Sequence, residues 1–247
     1  MYMNRHITTG GELLNMKYAL VDGQKTHIRD VARGTLGYDC WYDDFEVKAC
    51  KGLFMQYWKY TTGKPNLPSG YENETEWHAA WKESIRDDCC EVIMGPNGEH
   101  RADIRTPERV IELQYSPIDI RDVLDRTSFY VNETNERIVW VINVYKARHD
   151  KRIETIQDPA DGSRFLVKWT RAKKWVVEIC EKTNTNVFLD ISPNATNLIL
   201  LWKHQGQLYG KWVSKSNFYD MYLRDVGMGK EKFLSAIKGV DPKKFWR

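Results

Sequence analysis

The chain has 247 residues, 42% of them hydrophobic, with 10 Trp and 13 Tyr, and a mean hydropathy of -0.60. That is core material for one large or two small globular domains in a polar matrix, which excludes a disordered or fibrous chain. No run approaches the roughly 18 apolar residues of a membrane helix, and the start MYMNRHITTGGELLN has no apolar leader segment, so neither membrane insertion nor secretion is expected.

The net charge of +3 is unevenly spread: residues 1–144 hold 17 basic and 23 acidic side chains, residues 145–247 hold 20 and 11. In the second part, 145–175 and 230–247 interleave Lys and Arg with aromatics. This pattern reads equally as a phosphate-contacting surface with stacking rings or as a solvated basic face. Cys40, Cys50, Cys89, Cys90 and Cys180 are an odd, irregularly spaced set, which argues against a disulfide framework and for a reducing, cytoplasmic setting. The Asn-x-Thr triplets at Asn73, Asn132 and Asn194 carry no weight in such a chain.

In chain order, 17–60 alternates in short bursts broken by Gly and Asp and predicts a small β-rich module, residues 1–70. The connector TTGKPNLPSGYENE separates it from a second domain, 71–247. Trp77, Ala80, Trp81 and Ile85 then fall at helical spacing, predicting an amphipathic helix over 75–88. CCEVIMG, HRADIRT and RVIELQ follow as three strands joined by tight turns. SPIDIRDVLDRTSFYVN is a second helix, and IVWVINV is apolar enough for a strand covered on both faces. WVVEICEKT, VFLDIS, NLILLWKH and GKWVSKSNFYDMY read as strands or short helices, before a basic helix around 231–238.

Three carboxylates stand out in this middle block. Glu76 opens the first helix, Asp103 is on the second strand, and Glu112 shares one strand face with Val110 and Gln114. A buried, unpaired carboxylate is costly, and a divalent cation would offset that cost. An Asp and a Glu on hairpin partners suit a hard ion such as Mg²⁺, with Mn²⁺ as a substitute. Gln114 could orient water or phosphate, Lys82 could supply positive charge, and His78 lies nearby. The ordinary alternatives are an Asp103 salt bridge to Arg101 or Arg105, a helix-start role for Glu76, and pairing of Arg121 and Arg126 with Asp122 and Asp125.

The pattern Asp103-x(8)-Glu112-x-Gln114, after Glu76-x-His78-x-x-Trp81-Lys82, resembles the PD-(D/E)XK nuclease core. More narrowly, EWHAAWK, HRADI, VIELQYSPI and DRTSFY resemble the competence protein CoiA-like nucleases over residues 74–145. The resemblance implies an α/β (α+β) fold with a restriction endonuclease-like αβββαβ core, the β-rich N-terminal module and a basic C-terminal extension. It further implies Asp103 and Glu112 as metal ligands, Glu76 as the carboxylate completing the cluster, and Gln114 where the general pattern has Lys. The expected activity is Mg²⁺-dependent hydrolysis of DNA, with RNA and homodimerisation left open; the alternative is a nuclease-fold module that binds nucleic acid without cutting. The family's N-terminal zinc motif is degraded to Tyr38-Asp39-Cys40-Trp41-Tyr42-Asp43, with Tyr57-Trp58-Lys59-Tyr60 in place of the second pair, so the module is expected to pack without metal.

Overall fold

The computed structural model describes residues 16–40, 42, 44–52, 56–63, 75–96, 98–133 and 136–245. The first fifteen residues, most of the predicted connector including Asn73, Trp41, Asp43 and the last two residues lie outside that set. The chain is a mixed α+β protein that divides into two compact units, 1–79 and 80–247.

The first unit is a five-stranded antiparallel sheet of β1 (Tyr18–Val21), β2 (Gln24–His27), β3 (Leu36–Tyr38), β4 (Glu46–Lys51) and β5 (Gln56–Tyr60), in the order β2-β1-β3-β4-β5. Asp22 and Gly23 both take positive φ (51° and 75°), the geometry of a two-residue hairpin loop whose twist matches its strands. Strand alternation puts Val47, Ala49 and Trp58 into a core with Met16, Ala19 and Ile28, and Lys48 and Lys59 on the other face.

Helix α1 (Glu76–Lys82) crosses the division between the units. It is half the predicted length because the chain after it is captured by a distant segment. Arg86 N–H donates to the Val226 carbonyl at 2.9 Å, and Ile85 forms a bridge with Gly227. Backbone pairing to another element outweighs the helical periodicity of residues 83–88.

In the second unit, β6 (Cys90–Met94), β7 (His100–Arg105) and β8 (Arg109–Gln114) form an antiparallel meander, followed by α2 (Ile120–Glu133) and β9 (Arg137–Asn143) parallel to β8. After α3 (Tyr145–His149) come β10 (Ile153–Gln157), β11 (Phe165–Trp169), α4 (Lys174–Lys182), β12 (Asn186–Asp190), β13 (Asn197–His204), β14 (Gln207–Ser214), α5 (Lys215–Phe218) and α6 (Lys230–Lys238). All nine strands join one sheet, ordered β10-β11-β14-β13-β12-β9-β8-β7-β6.

The predicted basic extension is therefore corrected: residues 145–247 supply more than half of the sheet's strands, and β12 pairs in parallel with β9 along its full length. Much of its positive charge is spent internally. Arg148 donates to the Ile153 carbonyl, Arg164 pairs with Asp158 at 2.6 Å, and Lys173 donates to the Tyr115 carbonyl.

The apolar runs of β8, β9 and β12 follow from burial on both faces. Trp140, Val187 and Leu189 pack with Val123 and Tyr130 of α2 and Val176 and Ile179 of α4. Phe188 points to the opposite face, where its ring meets Phe218; Trp81 meets Phe218 and Phe233 there.

At the end of β12 the fully buried Asp190 accepts from Tyr145 Oη at 2.9 Å and Trp81 Nε1 at 3.2 Å. Lys215 Nζ lies 3.0 Å from its other oxygen, at ion-pair distance but off the hydrogen-bond direction, and donates to the Ser192 carbonyl. Removing one member of such a pair leaves a buried charge, so Asp190→Ala should destabilise the protein by about 3–5 kcal/mol in urea unfolding. The double variant Asp190→Leu/Lys215→Met should recover most of that loss.

Candidate functional site

The period-two reading of β8 holds in three dimensions, with Glu112 on the sheet face that α2 covers. Ile104 pairs with Ile111 across β7 and β8, the last paired step before Asp103 and Glu112, which follow it on the two strands. There the ladder gives way to a side chain: Asp103 Oδ2 accepts from the Leu113 N–H at 2.8 Å. Lys82, buried at the end of α1, places its Nζ 3.8 Å from Asp103 Oδ1 and also pairs with Glu91.

Glu91 is a carboxylate that the sequence reading missed. In the β6–β7 register Cys90 pairs with Ile104 and Val92 with Ala102, which sets Glu91 opposite Asp103. Its backbone is left-handed (φ 49°), an uncommon state for a residue with a long side chain, and its carboxylate also pairs with Arg101 at 2.8 Å. The hairpin register alone would have signalled Glu91; the backbone turn would not have shown in the sequence.

Glu112 is only 3% exposed. Arg126 Nη1 donates to its Oε2 and Tyr130 Oη to its Oε1, each at 2.8 Å. The expected pairing of Arg126 with Asp122 or Asp125 is thereby corrected, because a buried carboxylate gains more from the guanidinium than solvated neighbours do. Arg121 pairs with Asp119. Arg101 and Arg105, the alternative salt-bridge partners for Asp103, pair with Glu91 and Glu136.

Burial pushes the Glu112 carboxyl up to about 7; Arg126 and the Tyr130 hydrogen bond oppose the rise, whereas Asp103 and Glu91 add to it. Burial and then Glu112 raise the Tyr130 hydroxyl, so it stays a donor. His100, edge-on to Phe129, is held below its ordinary value by burial and Arg126.

The remaining predicted residues divide clearly. Gln114 is buried, and its Nε2 donates to the Ser116 carbonyl at 2.9 Å, which fixes the amide next to the pair. Glu76 and His78 belong to the first unit. Glu76 is half-buried in the first turn of α1, and His78 Nδ1 lies 2.9 Å from Thr75 Oγ1, a helix-start contact that accounts for its burial. Cys89 and Cys90 are buried thiols.

Among the described residues no group of three or more His, Cys, Asp or Glu is arranged to hold a metal ion. Two carboxylates on adjacent strands are nonetheless the donor set that Mg²⁺ commonly takes from a protein, the rest of its octahedron being water and phosphate oxygens. Asp103 and Glu112 are hard oxygen donors of that kind; both Glu112 oxygens here accept from Arg126 and Tyr130, and one Asp103 oxygen accepts from the Leu113 N–H. No helix among the described residues is long and apolar enough to cross a membrane. Comparison with protein-family models, curated proteins and solved structures gave no match.

The folded chain keeps a proton on Glu112 that the unfolded chain releases near its ordinary value of 4.5. Stability from this group is therefore fully present below that value and is lost as pH rises to about 7. Glu112→Gln should flatten the decline in unfolding free energy across that window by on the order of 3 kcal/mol. Equal slopes in urea titrations of the two proteins would refute this.

Proposed function

We propose that the second unit is a metal-dependent nuclease of the restriction endonuclease-like kind, hydrolysing phosphodiester bonds of DNA at Asp103 and Glu112. The observation that carries this reading is the placement of those carboxylates on the adjacent strands β7 and β8, close enough for Asp103 to act on Glu112, with Asp103 anchored by the Leu113 N–H and Lys82 beside it. The order α1-β6-β7-β8-α2-β9, with β8 parallel to β9, supports it, since the sequence motifs imply that order.

Asp103 and Glu112 would hold Mg²⁺, which when bound supplies Lewis acidity and a water of lowered pKa. The chain's own residues do the positioning. The Leu113 N–H fixes one Asp103 oxygen and aims the other toward Lys82. Arg126 and Tyr130 hold Glu112 against rotation and offset the cost of its charge. Lys82 brings a buried positive charge to where the phosphate's negative charge grows as water attacks phosphorus and the P–O bond to the leaving strand breaks. Gln114, pinned through Ser116, presents an amide rather than an ammonium to the same region.

One observation favours a second reading, a module that binds without cutting: Lys82, Arg101 and Arg126 already pair with Glu91, Asp103 and Glu112. The two readings part on labelled single-stranded, duplex and branched DNA incubated with Mg²⁺, Mn²⁺ or EDTA. Metal-dependent cleavage should fall at least about 10³-fold in Asp103→Ala and in Glu112→Ala, as for other charge-stabilising groups of this rank. Salt-sensitive binding with no cleavage on any substrate would overturn the nuclease reading in favour of the second. Lys82→Met should lower the cleavage rate about 10²-fold with little change in DNA affinity, measured by single-turnover kinetics.

A further inference from the structure

On one face of the first unit's sheet, beside Glu46, lies a groove whose cations no acidic residue of its lining answers. The groove runs along β4 and β5, with a volume of about 1090 Å³ and a lining that includes Arg33, Lys48, Lys51 and Lys59 and no acidic residue. Lys48 and Lys59 are direct partners in the β4–β5 register. Like charges placed opposite each other across strands destabilise the pair. Neither lysine, nor Arg33, has an acidic partner among the described residues, and all three are exposed. Lys51 spends two of its three donors on the carbonyls of Arg29 and Val31, at 3.0 and 2.6 Å, which anchors its cation at the groove's end.

Aromatic and apolar surface accompanies the charge. Tyr57 lies in the groove opposite Cys50. Beside the groove, Leu36, opposite Lys48, is 52% exposed, and Tyr38, opposite Glu46, is 48% exposed. Cations grouped along β4, β5 and the turn at Arg33, with the Tyr57 ring among them, match a chain that alternates phosphates with flat, stackable bases. An acidic peptide would satisfy the charges and leave the ring without a partner.

We infer that this groove binds single-stranded nucleic acid, with Arg33, Lys48 and Lys59 on the phosphates and Tyr57 as the stacking surface. The inference does not depend on whether the second unit cuts, because it uses only residues of the first.

The test is fluorescence polarisation of a labelled oligothymidylate with the full chain in EDTA, where cleavage is silenced. Lys48→Glu/Lys59→Glu should weaken binding at least about tenfold and reduce the log–log salt slope by about 1.4, two phosphate contacts for single strands. Tyr57→Ala should weaken binding severalfold and leave that slope unchanged, a signature that loss of folding would not give. Circular dichroism melting of each variant checks that the sheet is intact. Unchanged affinity and slope in the folded double variant would overturn the proposal, as would equal affinity for a duplex of the same length or displacement by polyglutamate at matched charge. Cleavage assays on the same variants keep the two claims separate. Binding that depends on Lys48 and Lys59 in a protein that never cuts supports the groove and sinks the nuclease; metal-dependent cutting with oligothymidylate binding indifferent to both lysines does the reverse.

Discussion

Glu112 lies between the apolar Ile111 and Leu113 of β8, a strand buried between β7 and β9 in the nine-stranded sheet, and burial there works against its charge. Arg126 and Tyr130 reach it from α2, one turn apart on the helix, so the same bonds that hold the carboxylate also fix the rotation of α2 over the sheet. The α2 face so fixed delivers Val123 and Tyr130 to the core shared with α4. Replacing Glu112 by an apolar residue would strand the Arg126 guanidinium, which is itself largely buried. Site and core are thus coupled through one residue.

The second charged centre, Asp190 with Lys215, ties elements far apart in sequence. Asp190 ends β12, Tyr145 begins α3, Trp81 lies in α1 and Lys215 begins α5. Aromatic donors and one cation around a fully buried carboxylate specify a geometry that an apolar cluster of equal volume would leave looser. The parallel strands β9 and β12 end side by side at this point, where Val144 N–H donates to the Asp190 carbonyl.

The alternation in VIELQ and the turns around HRADIRT made β7, β8 and the placement of Asp103, Glu112 and Gln114 legible in the sequence, because period two and turn chemistry are local. The continuous apolar run of β9 announced its double burial for the same reason. Arg126 was legible as a helix-surface residue but not as the partner of Glu112, since local spacing offers Asp122 and Asp125 and only the sheet brings Glu112 within reach. The early end of α1 depends on Val226 and Gly227, and the incorporation of β10–β14 into the main sheet depends on the β9–β12 ladder; neither pairing leaves a local mark. Charge counts made the second part look like an appended basic surface, yet Arg164 pairs with Asp158 within the β10–β11 hairpin and Arg148 of α3 is taken up by the Ile153 carbonyl at the start of β10.

Glu91 has a second effect beyond its carboxylate. Strand β6 is one outer edge of the large sheet, where unpaired N–H and C=O groups invite another chain. A left-handed residue just inside its start breaks the run of extended backbone that an incoming strand would need to match. The kink that turns a carboxylate toward Lys82 and Arg101 thereby also shields the sheet from growing by one more strand, and a substitution that straightened it would trade site geometry for a stickier border.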